Sequence, residues 1–204
     1  MKKIMFNDRY GLTAAVLLGR KTMTRRIIVP PKKFKGNDDI MLEYHQRLTG
    51  KHFYDCVVCD ADGYELGQMP LPYEVGEVVA IAQTYEQAGW QPTEQLRGEM
   101  EFQQTAGWTN KMFVLPDLMR WKIIIGNIWF ERLQDISDED CLREGVEKWL
   151  DSYIVPGIME NRGKNNVCFN TPREAFAALI DKVSGKGTWS KNPMVVVYEF
   201  ELTK

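Results

Sequence analysis

The run RWKIIIGNIWFERL, residues 120–133, sets the firmest limit on the fold. It is rich in β-branched and aromatic side chains, which favour an extended chain packed in a sheet. Gly126 interrupts it midway, and a glycine inside a strand marks a bulge or bend. The closing run NPMVVVYEFEL alternates in the manner of a strand: Tyr198, Phe200 and Leu202 share one face, and Glu199 and Glu201 the other. A third strand, GEVVAIAQT, follows a turn at Gly76. Strands with turn punctuation and a few short helices predict an α+β domain, a small β-barrel with flanking helices.

Three helices are signalled by their ends. Asn7 or Asp8 caps a run through YGLTAAVLLGRK, and Gly19 stands where a left-handed C-terminal residue belongs. The second helix starts at Ser137 in ISDEDCLREG, carries acids in its first turn, and stops at Gly145. In TPREAFAALIDKVSG, Thr171 is the cap, Pro172 the first helical residue, and Glu174 closes a capping box. Phe176, Leu179, Ile180 and Val183 then recur on one helical face.

A chain of 204 residues reads as one domain, 1–204. Residues 31–72 and 87–110 are polar and show little periodicity, so they read as insertions or long loops. The composition, 44% apolar and 26% charged, is that of a soluble globular protein. No apolar run approaches the roughly 20 residues of a membrane span. The start, MKKIMFNDRYG, lacks the apolar stretch of a signal peptide, which predicts a cytoplasmic location. Four cysteines do not suggest a disulfide framework.

Charge is unevenly spread. From Arg9 to Asn37 there are eight cations and no acid, although the whole chain is −2. Such a split fits a nucleotide, a phosphate or RNA as partner, or internal pairing with acids elsewhere in the fold. The densest part is GRKTMTRR, residues 19–26, with Arg20, Lys21, Arg25 and Arg26. Thr24 offers a hydroxyl nucleophile that needs a base. Lys21 serves as that base only when neutral, and lowering its pKa by three units costs about 4 kcal/mol. Neighbouring arginines push that way, whereas a helix C-terminus opposes it. Glu144, in the last turn of the second helix, is a carboxylate at the unfavourable end of a helix dipole.

Two other constellations are weaker. Cys56 and Cys59 form a CxxC with His52 and His45 upstream, short of a second CxxC and not at finger spacing. The set offers candidate zinc ligands; the two cysteines are otherwise a redox pair or strand cysteines with no reactive role. Among six tryptophans, Trp189 in GKGTWSKNP is the candidate for an exposed, base-stacking ring. No phosphate-binding glycine motif and no HExxH occurs, and no cofactor is expected.

GRKTMTRR resembles the signature of the ASCH family, within the PUA-like superfamily of small β-barrels. YEVGEVVAIAQTY is similar to that family's strand entry, and FERLQDISDEDCLREGV to its strand-to-helix segment ending in Glu-Gly. FAALIDKVSGKGTWSKNPMVVVYEFEL resembles the ending of longer, often phage-associated members. Some small bacterial members are amidohydrolases that deacetylate acetylcytidine. Carried over by position, the resemblance implies Lys21 as general base, Thr24 as nucleophile and Glu144 as proton donor. Arg20, Arg25, Arg26 and Trp189 would bind substrate or phosphate. Other members are regarded as RNA-binding or ribonucleolytic, which gives the alternative of a nucleic-acid module or a ribonuclease.

Overall fold

A computed structural model describes residues 1–28, 41–45, 55–59, 62–69, 71–90, 106–160 and 165–203. In chain order these hold β1 (Lys3–Ile4), α1 (Leu12–Leu17), β2 (Met23–Ile27), β3 (Met41–His45), β4 (Asp55–Cys59) and β5 (Glu65–Met69). Then come β6 (Val78–Ile81), α2 (Ala106–Thr109), β7 (Lys122–Arg132), α3 (Asp138–Arg143), β8 (Glu147–Trp149) and β9 (Ser152–Ile154). The chain closes with α4 (Pro172–Ser184), α5 (Thr188–Lys191) and β10 (Met194–Thr203).

The main sheet has the order β1-β6-β7-β10-β2. Its centre is the pair of long strands that the sequence marks most clearly, β7 and β10, running antiparallel. Gly126 behaves as its position demands: Glu199 faces Asn127 and Phe200 faces Ile125, so the glycine is skipped as a bulge. Ile123, Ile125, Ile128, Tyr198 and Phe200 are buried in the main core with α1, α3 and α4. Among the described strands, only β1 lies parallel to its neighbour, β6.

The fold is a small α+β arrangement, and among the described residues the expected barrel does not close. Strands β1 and β2 are the two edges of an open ladder and do not pair with each other. One side-chain bond spans the gap: Arg26 Nη2 donates to the Met5 carbonyl, just beyond β1, at 2.6 Å.

The helix ends follow the sequence closely. Ser137 Oγ accepts from the Asp140 amide, and Thr171 with Glu174 forms the capping box on α4. The first helix is shorter than predicted. Asn7 caps a single 3₁₀ turn, Asp8–Tyr10, and Gly11 at φ +66° re-aims the chain before α1 starts. Within 31–72, read as an insertion or long loop, the described residues include an antiparallel sheet, β3-β4-β5; of this the sequence marked only the strand carrying Cys56 and Cys59, because five-residue strands carry little periodic signal. Among the described residues no helix is long and apolar enough to cross a membrane.

Candidate functional site

Two short helices end face to face, and each ends in the same way. After α1, the Gly19 amide donates to Val16 O and the Arg20 amide to Ala15 O, with Gly19 at φ +72°. After α3, the Gly145 amide donates to Leu142 O and the Val146 amide to Cys141 O, with Gly145 at φ +107°. Both are Schellman motifs, which tie off a helix and turn the chain sharply. The turns deliver Lys21 and Glu144 to one point. The Thr22 amide bonds to Arg143 O at 3.0 Å, holding the two ends together. The φ of +107° at Gly145 favours glycine, and a Cβ there would in addition lie 2.9 Å from Leu12 Cδ2, at the tip of that side chain.

Lys21 and Glu144 form a buried ion pair. Lys21 Nζ is 2.5 Å from Glu144 Oε2, with side chains 2% and 5% exposed. Lys21 also donates to the Glu144 carbonyl at 2.8 Å, at the negative end of α3. Burial is the largest influence on Lys21 and holds its ammonium below the usual lysine range; Glu144 opposes this, while Arg26 and Arg25 add to it. Burial, an influence beyond those read from the sequence, acts in the same direction as the arginines.

Arg25 is the hub of the surrounding charges. Its fully buried guanidinium meets Glu131 at 2.7 Å, Asp140 at 3.0 Å and Glu144 at 3.2 Å. Another N–H points to Met23 Sδ at 3.2 Å, so four of its five donors are engaged. Burial works against its charge, but Glu144 and Glu131 outweigh that and raise its pKa. Cys141 lies nearby, and burial pushes its thiol up to about 12, which removes it as a nucleophile at neutral pH.

These groups open on a cavity of about 500 Å³. Lys21, Thr24, Arg25, Arg26 and Glu144 line it together. The two threonines of the stretch have separated: Thr22 Oγ1 accepts from Arg143 Nε at 3.0 Å, whereas Thr24 Oγ1 has no hydrogen-bond partner among the described residues. Phe176, Leu179, Ile180 and Val183 of α4 supply an apolar wall. On another side are Asp8 and Lys111, whose ions are 2.9 Å apart.

Other predicted residues fall outside this group. Arg20 is on the surface, paired with Glu147. Trp189 is not the exposed ring expected: it is half-buried, edge-on to Phe176 at 6.1 Å with the Arg173 guanidinium above it at 5.4 Å. It does not line the cavity. Arg25 lines it, but as an internal tie rather than a free phosphate clamp. Of the zinc candidates, His52 and the side chains of His45 and Cys56 lie outside the described residues, and Cys59 is buried. The described residues contain no cluster of three metal-ligating side chains.

The sequence reading missed Asp8 and Lys111 as cavity groups, and Glu131 and Asp140 as partners of Arg25. Asp140 is visible in sequence only as one acid of a helix N-terminus. Lys111 sits in a segment without periodicity, where nothing local marks it. No family model, curated protein or solved structure matches this chain.

Proposed function

We propose that the protein is an ASCH-type, PUA-like amidohydrolase that cleaves an acylated nucleoside or a related small amide, similar to N4-acetylcytidine. The observation carrying this reading is that Lys21, Thr24 and Glu144 line one cavity, with Lys21 and Glu144 in contact and Thr24 Oγ1 unengaged.

The chemistry closes on a single proton held by the pair. In the reactive form that proton sits on Glu144, leaving Lys21 a neutral amine. Thr24 Oγ attacks the acyl carbon and its proton passes to Lys21. The C–N bond then breaks and Glu144 gives its proton to the departing amine. This leaves an acyl-threonine beside an ammonium–carboxylate pair. Water attacks the ester and loses a proton to Glu144, while Lys21 returns one to Thr24 Oγ. Product acid leaves and the pair is back in its starting form. Burial favours the neutral amine of Lys21, because it penalises the ammonium.

The alternative, a nucleic-acid-binding module or ribonuclease, is weakened by internal pairing. Arg20, Lys21 and Arg25 are matched to Glu147, Glu144 and three carboxylates, and Arg26 donates to Met5 O. The test is release of cytidine and acetate from N4-acetylcytidine by purified protein. Thr24→Val should abolish turnover with little change in thermal stability. No turnover by the wild type refutes this substrate, and full turnover by Thr24→Val refutes the nucleophile.

A further inference from the structure

We propose that Asp8 is a second recognition point of the cavity, accepting hydrogen bonds from the vicinal hydroxyls of the ligand's sugar. The assignment of a sugar rests on the nucleoside reading above; the place of Asp8 rests on geometry alone.

Asp8 lines the cavity and its side chain is 44% exposed. It is held from within the fold by Lys111 and Thr13, and Gln87 also bonds to it. Lys111 is 9% exposed, and its three donors go to Phe6 O at 2.6 Å, Asp8 Oδ2 at 2.9 Å and Thr13 Oγ1 at 3.3 Å. An ammonium has three donors, so Lys111 is saturated and cannot itself hold a ligand. The Thr13 hydroxyl donates to Asp8 Oδ1. Each Asp8 oxygen therefore has a fixed partner inside the fold and keeps acceptor capacity for a ligand. Burial works against ionisation of Asp8, but bonds from Thr13 and Lys111 outweigh it and hold the carboxyl below its usual range.

Phe6 joins this group to the reactive one. Its ring centre lies 5.8 Å from Lys21 Nζ, and its carbonyl accepts from Lys111. The cavity thus has two polar ends linked by one residue, with apolar side chains of Leu12, Phe176, Leu179 and Ile180 along it. An ionised carboxylate only accepts, so the ligand group it meets must donate. With the amide at Thr24, the donors remaining on a nucleoside are its sugar hydroxyls.

The test is calorimetric titration of wild type and Asp8→Asn with cytidine and with 2′,3′-dideoxycytidine. The wild type should bind cytidine about tenfold or more tightly than the dideoxy compound, the scale of charge-assisted hydrogen bonds. Asp8→Asn should lose that margin and leave dideoxycytidine affinity unchanged. Thr13→Val, which removes only the orienting hydroxyl, should narrow the margin and serves if Asp8→Asn does not fold. An undiminished margin, or equal weakening of both ligands, overturns the proposal, as does failure of both to bind wild type. Acetylcytidine turnover separates the two readings. Turnover with an unchanged KM in Asp8→Asn refutes the role of Asp8 alone. Absence of turnover with the binding margin present, and lost in Asp8→Asn, refutes the hydrolase alone.

Discussion

Replacing Glu144 with Gln puts a number on the burial of Lys21. The substitution keeps shape but removes the charge 2.5 Å from the ammonium. Lys21, 2% exposed, is then left with Arg25 and Arg26 as its charged influences, and all of them disfavour its proton. It is expected to become neutral in the folded state. The unfolded chain keeps an ordinary lysine near pKa 10.4, so folding must release a proton. At pH 7 that costs about 4.6 kcal/mol, and at pH 9 about 1.9 kcal/mol, at about 1.36 per unit. The sign follows from linkage: a folded pKa below the unfolded one means the unfolded state binds more protons, so stability rises with pH. That rise continues until the unfolded lysine itself titrates. In the wild type Glu144 retains the proton on the pair, so the dependence is weaker. Urea unfolding of both proteins at pH 7 and pH 9 measures it. The deficit of Glu144→Gln should shrink by up to about 2.7 kcal/mol between the two, and Lys21→Met in the same background should remove the trend. An identical deficit at both pH values would refute the reasoning, because Lys21 would then be keeping its proton or reaching water.

Gly145→Ala should lower the thermal midpoint more than Gly19→Ala. Both glycines have positive φ, costing an alanine about 1–2 kcal/mol, but only at Gly145 does the new methyl meet a neighbour, Leu12, at 2.9 Å. Differential scanning calorimetry compares them, and equal shifts would count against the close approach. Arg25→Met removes the cation shared by Glu131, Asp140 and Glu144, leaving them Trp129 Nε1, Arg143 and Lys21 respectively, and should cost about 3–5 kcal/mol at neutral pH. Chemical denaturation at pH 7 checks this, and a near-neutral effect would mean that these remaining partners and water already satisfy the three carboxylates.

The ends of helices and the central strands were legible because their signals are local. Thr171, Pro172 and Glu174 determine a cap within four residues, and Gly126 marks its own bulge. The site was legible only in part. Lys21 and Thr24 are three residues apart, but Glu144 is 123 residues from Lys21 and no spacing connects them; the family resemblance supplied that pairing. Even so, the sequence gives no hint that Arg25 and Arg26, adjacent in one strand, do different work. Arg25 turns inward to three carboxylates and Arg26 spans to Met5. The same limit hid Asp8 and Lys111, whose meeting depends on an irregular segment with no periodicity. The face of α4 read as core is core, but its outer end also walls the cavity, since Val183 is 40% exposed.

The open edge of the sheet has a mechanical consequence. Residues just beyond β1 and residues of β2 both line the cavity, so the ligand space lies along the seam where a barrel would have closed. A sealed barrel can widen there only by tearing a row of backbone hydrogen bonds. Here no ladder crosses the seam among the described residues, and the Arg26–Met5 bond acts as a latch. Opening along this line would break that latch and local side-chain contacts but would leave the β7–β10 ladder paired, so widening the cavity need not cost the sheet its central backbone hydrogen bonds.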